Sequence, residues 1–271
     1  MRVHHLNCAT LRPLGRLLVN GEGWPLEPGR MVCRTLLLET ANALVLVDSG
    51  FGTADLADPV RALGRALLLS GRPALDPAET AIARVRALGH DPRDVRHVVA
   101  THLDVDHAGG LPDFPWATVH TTAAEHRAAT TRPTFLDQHR YRAHHFAHGP
   151  RWATYEPGGE AWEGMGGVCA VEGLGGDVLL VPLGGHSSGH AGVAVRAPEG
   201  WLLHAGDAYF SQRQVDPTRP WCPPALTVFQ NVIAADAAAR RRNLVRVRRL
   251  PAHIEVVCSH DPHSLDSRRS A

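Results

Sequence analysis

The sequence has no lysine, few cysteines and no long apolar run, and each shortage excludes a class of protein. All 28 basic residues are arginine, which excludes Schiff-base and lysine-base chemistry. The five cysteines are widely spaced without a Cys-x-x-Cys pair, so they predict no disulfide framework and favour a reducing, cytoplasmic location. No stretch approaches the roughly 18 apolar residues of a membrane span, and residues 1–7 lack the apolar core of a secretion signal.

Charge of either sign is also not in excess. The formal net charge is +1 over 271 residues, so no strong field favours nucleic acid or an anionic membrane as a partner. We expect a small-molecule substrate, and the sequence does not indicate an oligomeric state. Histidine, by contrast, is abundant, with 18 residues. Because histidine is the commonest metal ligand, this abundance directs attention to a metal site.

The apolar pattern predicts one α/β (α+β) domain over residues 1–271. Two successive β-rich blocks, each finished by helix, suggest a pseudo-symmetric sandwich. Residues 131–167 show no clean period and are predicted to be an insertion that caps one face and contacts substrate. Helices are predicted from Asp76 to Gly89, over 122–130 and over 227–250. Strands are predicted over residues 32–39, 43–47, 95–101, 117–120, 178–182, 192–196, 201–204 and 255–258.

A dense group of metal-binding side chains follows the predicted strand 95–101. His102, Asp104, Asp106 and His107 fall within a span of six residues. In a tight loop, side chains at this spacing can converge from one side, and two imidazoles with two carboxylates suit a divalent ion. The small residues at 108–110 would let the following helix approach closely. The segment therefore predicts a metal site at the end of a strand.

This segment resembles the His-x-His-x-Asp-His motif of the metallo-β-lactamase superfamily, with Asp104 in place of the second histidine. Four further segments resemble family signatures in the same order, and together they span nearly the whole chain. The motifs are most similar to those of N-acyl homoserine lactonase-like members. The resemblance implies an αββα sandwich. The four segments are Leu-Val-Asp-Ser-Gly at 46–50, Gly-His-Ser-Ser-Gly-His at 185–190, Gly-Asp-Ala-Tyr at 206–209 and Ser-His-Asp at 259–261.

The resemblance implies a dinuclear metal centre. Its first ion would be held by His102, Asp104 and His186, and its second by Asp106, His107 and His260. Asp207 would bridge the two ions, while Asp48 would support the ligand loop and His190 would lie behind the ligands. Zinc is the expected metal, although the oxygen donor of Asp104 favours manganese or iron more than a histidine would.

The implied activity is hydrolysis of a lactone or related ester by a hydroxide held between the metals. Asp106 would accept or pass on the proton. Lactonases carry a substrate-binding tyrosine three residues after the bridging aspartate; here Phe210 has that position, and Tyr209 is the candidate catalytic tyrosine. Five prominent side chains of the insertion 131–167 could contact substrate or could instead pack within the cap. These are Phe135, Tyr141, His145, Trp152 and Trp162.

Two other functions remain open at this point. A di-iron oxidoreductase of the same fold could use a carboxylate at position 104, but it would need a flavin domain or an electron partner, and no flavodoxin-like phosphate loop follows Asp207. A nuclease or phosphodiesterase would need a basic surface. The arginines at 240–242 and 246–249 are instead typical of the solvated face of a helix.

Overall fold

The structure is a computed structural model that describes residues 1–159 and 161–269. Glu160, inside the predicted insertion, and residues 270–271, at the end of the predicted domain, lie outside the described residues. The strands of the described part are β1 Arg2–Leu11, β2 Met31–Glu39, β3 Leu44–Val47, β4 Val95–Val99, β5 Thr118–Thr122, β6 Arg151–Tyr155, β7 Cys169–Ala170, β8 Val178–Pro182, β9 Ala191–Ala197, β10 Gly200–His204 and β11 Glu255–Val257.

Helices connect and cover these strands, with short 3₁₀ turns between several of them. The α-helices of the described part are α1 Arg16–Asn20, α2 Thr53–Ala57, α3 Pro59–Ala62, α4 Arg65–Ser70, α5 Ala81–Ala87, α6 Val105–Ala108, α7 Ala123–Thr131, α8 Phe135–Arg140, α9 Pro224–Val232, α10 Ala237–Arg248 and α11 Pro262–Arg269.

The strands form two sheets. The six-stranded sheet has the order β1-β2-β3-β4-β5-β6, and the five-stranded sheet has the order β11-β10-β9-β8-β7. In the first sheet β3, β4, β5 and β6 run parallel. In the second, β10 and β11 are a parallel pair. Parallel neighbours end at the same edge, so the loops after β3 and β4, and those after β10 and β11, meet in pairs.

Side-chain alternation along the strands produces the layers. On β2, Leu36 and Leu38 face a core that also contains Val193 and Val195 of the second sheet. Leu37, between them, joins a different core on the outer face of the first sheet. A strand with buried residues on both faces needs cover on both sides, which explains the continuous apolar run of β2.

Helices supply the two outer layers. Val85 of α5 and Ala128 of α7 pack on the outer face of the six-stranded sheet. Leu244 and Val247 of α10 pack on the outer face of the five-stranded sheet. The architecture is therefore an αββα sandwich, and this sequence prediction is confirmed.

Three strands were not predicted from the apolar pattern, namely β1, β6 and the two-residue β7. In β1, polar residues such as Asn7 and Thr10 are buried, so the alternation that identifies a half-exposed strand is missing. β6 lies inside the predicted insertion 131–167 and pairs with β5. That part of the insertion extends a sheet, so it does not act as a cap.

The C-terminal helical segment also differs from the prediction. Residues 227–250 do not form one helix, because α9 ends at Val232 and α10 begins after Asp236, whose side chain accepts hydrogen bonds from two backbone amides of α10. Arg240 of α10 is 4% exposed and donates to Gln230 and Asn231. The prediction that this arginine lies on a solvated face was wrong.

The helices in the described part of the chain do not include one with the length and apolar content that a bilayer crossing requires.

A buried histidine of β5 predicts acid sensitivity. His120 bonds to Tyr155 and His97, and burial, with a smaller effect of His97, lowers its pKa to about 4. An unfolded histidine titrates near pH 6.5, so protons favour the unfolded chain, and stability is lost as pH falls from about 6.5 toward 4. This loss is about 3 kcal/mol. In urea unfolding, the free energy of unfolding of His120→Gln should fall less between pH 7.5 and pH 4.5 than that of the unaltered protein. His253→Gln, at an exposed position, should lose as much as the unaltered protein.

Candidate metal centre

The predicted ligands gather at one edge of the sandwich. The loop after β4 and the first turn of α6 carry residues 101–107, and the loops after β10 and β11 carry Asp207 and His260. His186 arrives on the loop between β8 and β9. Gly110 packs against the turn after β3, where an added Cβ would lie 2.5 Å from the Ser49 carbonyl oxygen. Only glycine allows this approach, which holds α6 close to the strand ends.

The first group of ligands surrounds a common point. The Nε2 atoms of His102 and His186 lie 3.8 Å and 3.5 Å from Asp207 Oδ2. Asp104 Oδ2 is 3.6 Å from His102 Nε2 and 3.1 Å from His186 Nε2. We call His102, Asp104 and His186 the first half-site. Such separations suit donors about 2 Å from one shared ion.

The second group lies on the other side of Asp207. His107 Nε2 is 3.4 Å from Asp207 Oδ1, and His260 Nε2 is 3.1 Å from Asp207 Oδ2. Asp106 Oδ2 lies 3.9 Å from His107 Nε2 and 3.7 Å from His260 Nε2. Asp106, His107 and His260 are the second half-site. The structure thus brings together all seven residues implied by the resemblance, with Asp207 between the halves.

Hydrogen bonds at Nδ1 fix the ring orientation of three of the four imidazoles, His102, His107 and His260. His107 Nδ1 donates to Asp48 Oδ2 over 2.9 Å, and His260 Nδ1 donates to the Val32 carbonyl over 2.8 Å. His102 Nδ1 is 2.9 Å from the hydroxyl of Thr101, which itself donates to Asp48. In these three rings Nε2 is therefore the nitrogen that faces the centre, as a metal ligand requires.

Several buried polar atoms at the centre have no hydrogen-bond partner among the described residues but are suitable metal ligands. His102 Nε2, His107 Nε2, Asp104 Oδ1 and Asp207 Oδ1 are buried without a hydrogen-bond partner. Leaving such atoms unpaired is costly, and divalent cations would satisfy them. The donor set of imidazoles and carboxylates thus fits two divalent metal ions.

The carboxylates are held in their charged form. Burial opposes ionisation of Asp207, but His260 and His107 overcome it and hold its pKa well below the ordinary value. Burial likewise opposes ionisation of Asp104, whose pKa is held well below the ordinary value by Arg140 and His102. Both side chains are therefore available as anionic ligands.

A cavity of about 280 Å³ opens directly on the ligands. Asp104, Asp106, His186, Asp207 and His260 form its floor. Its walls are mainly apolar and come from α4, α8, α9 and the loops after β10 and α3. These wall residues include Leu63, Leu67, Leu136, Phe210, Phe229 and Ile233.

Tyr209 does not reach this cavity. Its side chain is 0% exposed and packs in the core beneath α10, with the hydroxyl donating to Gln212 Oε1 over 3.1 Å. Phe210 points the other way and lines the cavity, with its ring centroid 4.6 Å from that of His260. Successive residues of this turn face opposite sides, so we withdraw the catalytic role predicted for Tyr209.

The prominent side chains of residues 131–167 mostly pack within the protein. Tyr141 and His145 are buried, Trp152 packs on the outer core of the first sheet, and Trp162 packs against the second. Phe135 is 77% exposed. The contribution of this segment to the cavity comes instead from Leu136, His139, Arg140 and Arg142.

Glu125 joins the ligand loops and was not identified from the sequence. It is fully buried on α7, and its Oε1 accepts hydrogen bonds from the Leu103 amide and the Tyr141 hydroxyl, both over 3.0 Å. Its Oε2 accepts from the Ser187 hydroxyl over 2.6 Å and from the Gly189 amide over 3.1 Å. One carboxylate thus positions the loops on either side of the first half-site.

Two further side chains near the ligands were also missed. Arg140 contacts Asp104 and His186, and Cys33 lies on β2 with its sulfur 3.7 Å from Asp106 Oδ2. Burial and the Asp106 carboxylate raise the pKa of Cys33 well above its ordinary value. His190, expected behind the ligands, accepts from the Asp207 amide over 2.9 Å.

Comparisons with known proteins agree with this geometry. Residues 28–260 match the model of the metallo-beta-lactamase superfamily. A probable metallo-hydrolase of Mycobacterium tuberculosis is 40% identical, with 97% of this chain and 81% of the relative covered. An N-acyl homoserine lactonase of Azorhizobium caulinodans is 30% identical, with 73% and 70% covered.

A solved structure shares the fold. It is an N-acyl homoserine lactone hydrolase with the product N-hexanoyl-L-homoserine bound at its catalytic metal centre. Its TM-score is 0.70 at 19% identity, with 98% of this chain and 95% of that chain covered. Together the family match, the relatives and the fold show that the chain belongs to the metallo-β-lactamase superfamily and is a metal-dependent hydrolase with lactonase-like relatives.

Proposed function

We propose that this protein hydrolyses a lactone or related ester that carries an apolar acyl group. The observation that carries the proposal is the cavity, because its apolar walls lead to a floor made of the candidate metal ligands. Such walls suit an alkyl chain, and the polar floor suits the carbonyl group that is cleaved. The relatives named as N-acyl homoserine lactonases support the same substrate class.

The first half-site would hold one ion and the second half-site the other, with Asp207 contributing to both. Zinc is the metal we propose, with manganese or iron as alternatives because Asp104 supplies oxygen. When bound, the ions would supply an activated water and polarise the substrate carbonyl.

The side chains of the chain have separate tasks in this reaction. Asp106 is at the cavity floor and partly open, with 17% of its side chain exposed. We propose that its carboxylate accepts the proton of the attacking water and then donates it to the leaving alkoxide. Phe210 covers the imidazole of His260. The apolar walls hold the acyl chain and exclude water from the floor.

A substrate screen tests the proposal. Protein loaded separately with zinc, manganese or iron would be assayed on lactones, esters, thioesters, β-lactams and phosphodiesters. We expect turnover of lactones or esters, with longer acyl chains preferred. Cleavage of phosphodiesters alone would contradict the proposal. Iron-dependent oxygen consumption without hydrolysis would also contradict it and favour a di-iron oxidoreductase.

The cavity wall predicts a chain-length effect. Phe229 lines the mouth and is 47% exposed. Replacing it with alanine removes apolar contact worth about 1.4 kcal/mol, so KM for a long-chain lactone should rise about tenfold. KM for a short-chain lactone should change little. Phe135→Ala is the matched control, because Phe135 does not line the cavity, and equal effects of the two variants would contradict the assigned wall.

A further inference from the structure

Arg140 is a buried cation at the edge of the first half-site. It is the last residue of α8 and is 8% exposed. Its Nη1 lies 2.6 Å from Asp104 Oδ2 and 2.8 Å from His186 Nε2. Its Nη2 donates to the Ile233 carbonyl. The guanidinium is thus fixed from both sides, and arginine keeps its charge under all ordinary conditions.

The positive charge of Arg140 offsets the negative charge that Asp104 introduces where the family motif has histidine. Asp104 adds one negative charge where the usual motif has a neutral imidazole, and Arg140 adds one positive charge to the same half-site. The pair is therefore neutral, like the histidine that it replaces. Within the described residues no arginine contacts Asp106, so the second half-site has no such compensation.

The same contacts oppose a metal ion in the first half-site. Nη1 faces the His186 nitrogen whose lone pair a metal ion needs, and it occupies one oxygen of Asp104. A dication bound there would lie close to a fixed positive charge in a buried, weakly screened place. This repulsion is absent from the second half-site.

We propose that Arg140 lowers the affinity of the first half-site for a metal ion. Asp104 and Arg140 together then replace one neutral histidine, and the first half-site is the weaker of the two. The inference rests on the dinuclear centre of the proposed function. It adds that the second half-site fills first and that the two ions bind in separate steps.

Metal titration tests the inference without using turnover. Metal-free protein would be titrated with Zn²⁺ against a chromophoric chelator, with bound zinc counted by mass spectrometry. The unaltered protein should bind two ions in two separated steps. His186→Ala should keep the tighter step and His260→Ala should lose it, which assigns the steps to the half-sites.

Arg140→Gln should strengthen the weaker step by about 10- to 100-fold, the scale of changes at groups that contact metal ligands. The tighter step should stay unchanged. Arg142→Gln is the matched control, because Arg142 lines the same cavity but donates to the Leu63 carbonyl and touches no ligand. That variant should strengthen the weaker step much less than Arg140→Gln does, because the Arg142 guanidinium acts on Asp104 without contacting it.

A double-variant cycle isolates the charge effect. Asp104→His alone removes the negative charge that offsets Arg140 and should further weaken the weaker step, whereas Asp104→His with Arg140→Gln restores a neutral pair and should approach the unaltered protein. If Arg140→Gln left the weaker step unchanged or weakened it, the inference would be overturned while the dinuclear centre stands. Absence of zinc binding in every variant would instead overturn the proposed function on which the inference rests.

Discussion

Asp207→Asn is expected to lose both metal ions and to lower turnover by roughly a thousandfold, the scale of removing one main electrostatic group from an active site. The reason is the position of Asp207. Its Oδ2 lies within 3.8 Å of both His102 and His186, and its Oδ1 lies 3.4 Å from His107. The Asp207 carboxylate offers two charged oxygens to the two half-sites, whereas the amide of asparagine offers only one neutral oxygen. The remaining donors would then hold each ion less tightly.

Bound metal and turnover should be measured on the same preparation, with the unfolding temperature as a check on the fold. Asparagine is close to aspartate in size, so the metal-free protein should still fold. Asp216→Asn is the matched control, because that carboxylate is exposed and its hydrogen bonds to the described residues all lie within its own turn. Two retained metal ions with full activity in Asp207→Asn would show that the centre has been misassigned.

The ligands could be predicted because each signature is local in sequence. His102, Asp104, Asp106 and His107 lie within six residues, on the loop after β4 and on the short helix α6, so their convergence needs only a tight turn between the two. The distances to His186 and His260 depend on two sheets meeting at one edge, which the strand order implied but did not measure. The layers were predictable for a similar reason, since the continuous apolar run of β2 indicates a strand that is covered on both faces.

The residues that were missed act over long sequence distances. Arg140 reaches Asp104 from 36 residues away, and Glu125 binds Ser187 from 62 residues away. A buried charge in such a position looks like an ordinary surface residue in the sequence. Tyr209 shows the opposite error. Its proximity to Asp207 in sequence suggested a role, but the turn directs its side chain into the core.

Glu125→Gln is expected to destabilise the fold and weaken the first half-site together. Four groups donate hydrogen bonds to the Glu125 carboxylate, two to each oxygen. In glutamine the amide nitrogen would replace one oxygen and would leave two of these donors without an acceptor. An unsatisfied buried donor costs about 1–3 kcal/mol, so the free energy of unfolding should fall by about 2–5 kcal/mol. Since Leu103 lies between two ligands and Ser187 follows His186, the affinity for Zn²⁺ at the first half-site should also fall, by about 10- to 100-fold.

The graded control is Tyr141→Phe, which removes one donor and leaves the carboxylate with three. It should lower the free energy of unfolding by about 1 kcal/mol and change zinc affinity little. Urea unfolding of the metal-free proteins measures the first effect, and zinc titration below the unfolding range measures the second. If Glu125→Gln lost stability but bound both ions as the unaltered protein does, Glu125 would be a residue of the fold alone. Loss at both half-sites equally would mean that its effect spreads through the whole edge of the sandwich and is not confined to the loops it joins.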